Sequence, residues 1–226
     1  MVQYRINAIF LGPPGAGKGT QAELISKHYS LQHISTGELF RKESESKTAV
    51  GVKIRSIMER GELVPDEIVF EVVKKNLFFG ENYNGFLLDG FPRNILQAEM
   101  LAHFLEQNNE FLSAVINFIV PKEMLVMRLL QRRFCPVCGK NYNLQTLPPK
   151  NDNLCDICNV ELVKRPDDNI ETITTRIEMY YTNTEPLVEY YKSKELLHEV
   201  DATGSVEHVF VLLKNLFDNG FYKNKK

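Results

Sequence analysis

A short apolar run that stops at a glycine cluster is the feature that most restricts the fold of this 226-residue chain. Ile6–Leu11 is the apolar run, and after the glycines Ala22, Ile25 and Tyr29 recur at the spacing of one helix face. Residues 12–20 between them read GPPGAGKGT, the pattern of a loop that binds phosphate through backbone amides. The sequence therefore predicts a strand, a phosphate loop and a helix.

Three properties of this loop favour a polyphosphate ligand. Glycines let the backbone turn so that successive amide groups point at one anion. The N-terminus of the following helix adds about half a positive charge, and a lysine supplies a mobile ammonium. The alternative is a glycine-rich turn that binds nothing. We expect the ligand on six consecutive residues, Gly15, Ala16, Gly17, Lys18, Gly19 and Thr20.

The residue after the lysine departs from the common form of this loop. Gly19 stands where many such loops carry the serine or threonine that binds magnesium, and Thr20 follows one place later. Asp89 ends the apolar run Phe86–Leu88, where a carboxylate can hold magnesium through water. A turn or helix-capping role is the alternative for this aspartate.

Apolar runs alternate with helical patterns along the rest of the chain. Strands are predicted at Gln32–Ile34, Phe86–Leu88, Ala114–Val120 and His198–Asp201. Helices are predicted to begin at Ser35 and Asp168 and to span Gly51–Arg60, Asp66–Phe78, Gln97–Glu106, Lys122–Arg133 and Val206–Phe217. This alternation predicts an α/β fold, a doubly wound parallel sheet with right-handed crossovers.

Charge and hydropathy exclude several function classes. Lysine and arginine total 27 against 29 acidic residues, so the formal charge of -2 leaves no general basic field for nucleic acid. No run of about 18 apolar residues occurs, which argues against a membrane span. Met1–Leu11 lacks the features of a signal peptide, so we expect a cytoplasmic protein.

The four cysteines form two CxxC pairs separated by 16 residues. This is the spacing of a tetrahedral four-thiolate zinc site, with two disulfides as the alternative. A catalytic zinc needs an open position, so four thiolates favour a structural role. A zinc ribbon that binds nucleic acid is a further alternative, but the segment is short of aromatic and basic residues. The predicted ligands are Cys135, Cys138, Cys155 and Cys158.

Two further motifs make a family resemblance specific. Residues 35–41 read STGELFR and residues 89–93 read DGFPR. Together with the phosphate loop they resemble the nucleoside monophosphate kinases, the adenylate kinases in particular, in the same order and over nearly the whole chain. The resemblance implies transfer of the terminal phosphoryl group of ATP to AMP, giving two ADP. It also implies Mg²⁺ with ATP, structural Zn²⁺ and a monomer.

The resemblance divides the chain into three parts. A core with the phosphate loop comprises residues 1–34, 65–133 and 169–226. A helical AMP-binding insertion spans residues 35–64, and a zinc-bearing lid spans residues 134–168. Related enzymes close such parts over their nucleotides.

The resemblance also assigns site residues. For ATP it adds to the phosphate loop Arg128, Arg132, Asn141, Tyr142 and Gly204. For AMP it implies Thr36, Arg41, Glu62, Leu63, Val64, Gly90, Phe91, Pro92, Arg93, Gln97, Arg165 and Arg176. The catalytic set is Lys18, Asp89, Arg93, Arg132, Arg165 and Arg176. Asp167 and Asp168 are expected to orient the arginines, and Asp168 also to cap the helix after it. For Arg133 we expect a surface position.

Alternatives within and outside this class remain. Asn94 after the DGFPR motif also resembles the uridylate-cytidylate kinases, whereas Gln97 and Thr36 favour AMP. A GTP-dependent AMP kinase is a second possibility. A switch GTPase would carry an Asn-Lys-x-Asp motif that this chain lacks. A zinc-dependent nucleic-acid binder with a vestigial nucleotide site is the last alternative.

Overall fold

The apolar runs form strands in a computed structural model, which describes residues 5–80 and 83–219. The strands are β1 (Ile6–Leu11), β2 (Gln32–Ser35), β3 (Gly85–Asp89), β4 (Ala114–Ile119), β5 (Arg132–Phe134), β6 (Asn141–Asn143) and β7 (Leu197–Asp201). Five parallel strands make the central sheet in the order β2-β3-β1-β4-β7, and β5 and β6 form a separate antiparallel hairpin.

Helices connect the strands and cover both faces of the sheet. They are α1 (Lys18–Tyr29), α2 (Thr36–Ser44), α3 (Ala49–Glu59), α4 (Asp66–Asn76), α5 (Ile95–Gln107), α6 (Lys122–Leu130), α7 (Ile170–Met179), α8 (Pro186–Lys192) and α9 (Val206–Asn219). A π-helical turn, Tyr180–Thr184, joins α7 to α8. In the described part of the chain, no helix has both the length and the apolar character to cross a membrane.

Two apolar cores lie on opposite faces of the sheet. Along β1, Ala8 and Phe10 pack into one core with α1, α6, α7 and α9. Ile9 and Leu11 pack into the other, with α2 to α5 and α8. Alternate residues of a strand point to opposite faces, so a strand buried on both sides is apolar throughout. The doubly wound parallel sheet predicted from the sequence is confirmed.

Several predicted helix boundaries are shifted by a few residues, and two of these shifts have a visible cause. The helix after β4 ends at Leu130 rather than Arg133, because Phe134 exchanges backbone hydrogen bonds with Val163 and draws the chain into the β5–β6 hairpin. The helix expected from Asp168 begins at Ile170. Its cap is Asn169, whose side chain accepts the Thr172 amide at 2.9 Å.

The insertion after Phe134 has a small core of its own. Cys135, Tyr142, Cys155 and Leu162 are buried together in a cluster separate from the two main cores. So little apolar material cannot stabilise a segment of this size unaided. The ends of the predicted core domain, residues 1–4 and 220–226, lie outside the described residues.

Candidate active site

The phosphate loop joins the end of β1 to the first turn of α1. Gly12, Gly15 and Gly17 have φ angles of 140°, 87° and 93°, which strongly favour glycine. A Cβ on Gly15 would meet the Leu125 carbonyl at 2.9 Å, so the loop also packs too closely for a side chain. This conformation leaves the amides at the start of α1 available for an anion.

Lys18 lies folded over the loop from which it extends. Its Nζ donates to the carbonyls of Gly12 at 2.6 Å and Pro13 at 2.8 Å. Burial lowers the pKa of Lys18 to about 8, with Asp89 opposing the shift and Arg93 adding to it. The ammonium is therefore poorly compensated and would be stabilised by phosphate oxygens.

Asp89 lies next to the start of α1. It ends β3, and a Cβ atom added to Gly19 would lie 3.2 Å from its Oδ2. The absence of a side chain at Gly19 thus makes room for the carboxylate. A larger residue at Gly19 would therefore crowd the carboxylate, which places an acidic oxygen beside the phosphate loop.

Two aspartates after the lid organise two arginines. Asp168 is fully buried and accepts Arg132 Nε at 2.7 Å and a second bond from its Nη2. Arg176 Nη1 donates to Asp167 Oδ2 at 2.8 Å and to Asp168 Oδ1 at 3.3 Å. Because Asp168 is fully engaged with cations, it does not cap α7, and that part of the prediction is wrong.

Arg165 lies among these cations with part of its bonding capacity unused. Its Nη2 donates to Asn141 Oδ1, while its buried Nε has no hydrogen-bond partner. Burial, Arg132 and Arg41 lower its pKa. Since a guanidinium keeps its charge at ordinary pH, the lowered pKa of Arg165 marks a cation that is costly to bury and is repelled by its neighbours.

The residues expected to bind AMP surround the end of β3. Thr36 donates to the Gly90 carbonyl at 2.9 Å, and Arg93 Nε donates to the same oxygen at 2.8 Å. The Arg41 guanidinium lies against Gly37 of its own helix, where an added Cβ atom would be 3.3 Å from Nη1. Gln97 accepts the Arg93 amide at 2.7 Å.

One cleft brings together most of the predicted residues. Those that line it include Gly15 to Thr20, Arg41, Leu63, Asp89, Gly90, Pro92, Arg93, Arg128, Arg132, Asn141, Tyr142, Arg165, Arg176 and Gly204. Five predicted residues are absent from its wall, namely Thr36, Glu62, Val64, Phe91 and Gln97. Thr36 and Gln97 lie one layer behind it, bonded to Gly90 and Arg93. Glu62 is exposed and pairs with Arg60.

Two predicted positions in and beside the lid have additional partners. Tyr142 is buried, and its hydroxyl donates to Cys155 Sγ at 3.4 Å and accepts the Asp156 amide at 2.9 Å. Arg133 is partly buried and donates to the carbonyls of Leu130 and Arg132. Tyr142 therefore couples the cleft wall to the cysteine cluster.

Thr184 is a positioning residue that the sequence analysis missed. It lines the cleft and donates to the Arg93 carbonyl at 2.8 Å. The residue belongs to the π-helical turn between α7 and α8, whose i to i+5 bonding breaks the helical period. Periodicity therefore gives no signal at this position.

The four cysteine sulfurs form a compact cluster. All four Sγ atoms lie within 4.8 Å of one another, and none of the cysteines is in a disulfide. The Sγ atoms of Cys138 and Cys155 are 3.6 Å apart, close to the sulfur–sulfur distance of about 3.8 Å expected in a tetrahedral zinc–thiolate site. Burial alone would raise the pKa of Cys155, but hydrogen bonds from Tyr142, Cys158 and Ile157 lower it to about 6. The cluster fits a tetrahedral metal ion.

Sequence comparisons identify relatives over nearly the full chain. A family model described as adenylate kinase matches residues 10–196. The adenylate kinase of Clostridium novyi is 48% identical over 92% of this chain and 96% of its own. That of Thermotoga petrophila is 50% identical over 89% of this chain and 92% of its own. The chain therefore belongs to the adenylate kinase family, enzymes that transfer the terminal phosphoryl group of ATP to AMP and use Mg²⁺ with ATP.

Proposed function

We propose that this chain forms two ADP from ATP and AMP inside the cleft, with the ATP phosphates on Gly15 to Thr20. Arg128 and Gly204 would flank the ATP adenine. Arg128 Nη2 donates to the Thr203 carbonyl at 3.1 Å, which places its guanidinium beside Gly204. Arg132 from the core, with Asn141 and Tyr142 from the lid, would complete the ATP side.

AMP would bind on the opposite side, with its phosphate between Arg41 and Arg93. A guanidinium fork matches phosphate oxygens and makes paired hydrogen bonds to them. Thr36 and Gln97 would contact the base, which requires the helical insertion to move because both lie behind the cleft wall. The remaining predicted AMP contacts are Glu62, Leu63, Val64, Gly90, Phe91, Pro92, Arg165 and Arg176.

The observation that carries this proposal is the concentration of positive charge around one cleft. Lys18, Arg93, Arg132, Arg165 and Arg176 all line it. Burial and mutual repulsion lower the pKa of Lys18, Arg165 and Arg176. Such a cluster is unfavourable alone and becomes favourable when two phosphate chains enter. The geometry thus favours a reaction between two phosphorylated ligands.

Phosphoryl transfer depends on alignment and charge stabilisation more than on covalent chemistry. Lys18 and the four arginines would hold the reacting oxygens in line and neutralise their developing charge. Comparable single arginines contribute about a thousandfold in rate or more. Mg²⁺, when bound with ATP, supplies further neutralisation of the phosphates. Asp89 would hold the ion through water, and its position beside Gly19 supports this role.

Water is the competing acceptor for the phosphoryl group. An open cleft would allow ATP hydrolysis, so closure must precede transfer. We propose that the lid, residues 134–168, and the AMP-binding insertion, residues 35–64, close over the core formed by residues 1–34, 65–133 and 169–226. Reopening to release ADP would limit turnover.

We further propose that Cys135, Cys138, Cys155 and Cys158 bind a structural Zn²⁺ that keeps the lid rigid. The sulfur cluster and the small lid core support this assignment. We also propose a cytoplasmic monomer with nucleotides as its partners and no nucleic-acid or membrane partner. The near balance of 27 basic and 29 acidic residues supports the absence of nucleic-acid binding.

A matched pair of arginine variants tests the assignment of the two sides. Arg41→Ala should raise KM for AMP, and Arg128→Ala should raise KM for ATP, each with a smaller effect on the other nucleotide. Lys192→Ala, at an exposed ion pair with Glu189 outside the cleft wall, is the control. Rates of ADP formation with AMP, CMP, UMP and GMP as competing acceptors should favour AMP. Equal KM changes in both variants, or a preference for CMP or UMP, would contradict the proposal.

A further inference from the structure

The carboxamide of Gln97 is held at both ends behind the cleft wall. Its Nε2 donates to Asp66 Oδ1 at 2.7 Å, and its Oε1 accepts the Arg93 amide at 2.7 Å. A carboxylate oxygen only accepts and a backbone amide only donates. The two partners therefore determine which end of the carboxamide is oxygen and which is nitrogen.

Asp66 is itself held in place by a second amide side chain. It is the first residue of α4, and Asn94 Nδ2 donates to its two carboxylate oxygens at 3.0 and 3.2 Å. Asn94 Oδ1 also caps α5 by accepting the Gln97 amide at 2.8 Å. Asp66, Asn94 and Gln97 thus form a closed hydrogen-bonded set between the starts of α4 and α5.

The Gln97 carboxamide retains capacity for a ligand. Its nitrogen has two N–H groups and its oxygen two lone pairs, and each atom uses one of them in the contacts above. Gln97 can therefore present one donor and one acceptor to a base in a fixed order. That order depends on Asp66, because its carboxylate accepts a hydrogen bond from the Gln97 nitrogen and repels the Gln97 oxygen.

We propose that Asp66, supported by Asn94, selects a 6-amino purine over a 6-oxo purine at the acceptor site by fixing the orientation of Gln97. This inference rests on the proposed contact between Gln97 and the AMP base. Adenine presents an amino donor beside a ring-nitrogen acceptor, whereas hypoxanthine presents a carbonyl beside an N–H. To suit hypoxanthine, Gln97 would turn its oxygen toward Asp66 and its amino group toward the Arg93 N–H, losing both bonds.

The test compares AMP with IMP as acceptors for Asp66→Asn. Asparagine has nearly the same shape as aspartate but can donate as well as accept, so it removes the constraint at one end of the Gln97 carboxamide and leaves only the Arg93 N–H at the other. The ratio of kcat/KM for AMP to that for IMP should fall about tenfold, with KM for ATP unchanged. The AMP-to-CMP ratio should not change, because cytosine presents its amino donor and ring acceptor in the same order as adenine.

Two further variants control for charge and folding. Glu67→Gln removes one negative charge from the same first turn of α4 at an exposed side chain, and the AMP-to-IMP ratio should stay at its original value. Asn94→Thr retains a cap for α5 but loses the Nδ2 group that donates to both Asp66 oxygens, so the ratio should fall in the same direction by less. If Asp66→Asn fails to fold in a thermal melt, Asn94→Thr carries the test.

An unchanged AMP-to-IMP ratio in Asp66→Asn and Asn94→Thr would overturn the inference. A parallel fall in the AMP-to-CMP ratio would also overturn it, since that pattern indicates general distortion of the site. Gln97→Ala separates this failure from failure of the proposed function. If Gln97→Ala leaves KM for AMP unchanged, the proposed base contact is wrong. If KM rises but Asp66→Asn leaves the AMP-to-IMP ratio unaltered, only the role of Asp66 is wrong.

Discussion

At the scale of single residues, the site holds positive charge that its own acids compensate incompletely. Lys18 donates to two loop carbonyls and has a pKa lowered by burial. Arg165 has a buried Nε without a partner. Arg132 and Arg176 share Asp168. A nucleotide phosphate bound here, as proposed, would meet unsatisfied donors and excess cationic charge.

ATP binding should take up a proton above about pH 8. Burial lowers the pKa of Lys18 to about 8 without nucleotide, and adjacent phosphate charge should raise it again. Protonation then accompanies binding, so ATP affinity should fall as pH rises through this range. Calorimetric titrations at about pH 8.5 in buffers of different ionisation enthalpy should show proton uptake by the protein. Proton release, or heats independent of the buffer, would show that Lys18 is not linked to ATP in this way.

Asp168→Asn should weaken both stability and catalysis. The carboxylate is fully buried against Arg132 and Arg176, and removal of one partner from a buried ion pair costs about 3–5 kcal/mol. Bound phosphate should restore part of the lost stability because it supplies the missing negative charge. Thermal unfolding with and without phosphate measures this, with Asp152→Asn at an exposed lid position as the control. Equal melting temperatures for the two variants would contradict the structural role of Asp168.

At the scale of elements, burial on both faces made the main strands predictable from sequence. β1 and β4 are apolar at every position but one, an asparagine in each, because each of them contributes to both cores. The end of α6 was not predictable, since it depends on pairing between Phe134 and Val163, which are 29 residues apart. The π-helical turn at Tyr180–Thr184 was also not predictable, because its i to i+5 bonding interrupts the helical period on which local patterns depend.

The motifs predicted which residues line the cleft better than they predicted the hydrogen bonds among those residues and their neighbours. The phosphate loop, Asp89 and Arg93 were predictable because their spacing along the chain is short and characteristic. The set formed by Asp66, Asn94 and Gln97 was not, because Asp66 is 28 residues before Asn94 and meets it only in the folded chain. Hydrogen bonds between distant side chains leave no periodic signal in the sequence.

Metal removal should affect the lid before the rest of the protein. Structural zinc contributes on the order of 10 kcal/mol in small domains, and the lid core contains few apolar residues. Chelation, or Cys155→Ser, should loosen lid amides in hydrogen exchange while the central sheet keeps its protection. Phosphoryl transfer to AMP should fall relative to phosphate release from ATP. Uniform loss of protection, or an unchanged ratio of transfer to hydrolysis, would contradict the separate role of the lid.

At the scale of the whole molecule, the parallel sheet brings the reacting groups to one edge. The phosphate loop follows β1, and Asp89 ends β3, the neighbouring strand. Arg132 on β5 and Arg176 on α7, on either side of the lid in the chain, reach the same cleft. Ligands of doubly wound sheets bind outside the carboxyl ends of the strands, and this chain adds cations from its insertions. Two nucleotides can then be aligned while solvent is excluded.

A crystal structure with two adenosines joined through five phosphates would test this account most directly. One adenosine should lie near Arg128 and Gly204, and the other near Thr36 and Gln97. The phosphate chain should contact Lys18 and Arg93, with the lid closed over it. If only one adenosine is bound and the arginines on the AMP side do not contact the ligand, the proposed arrangement of two nucleotides is wrong.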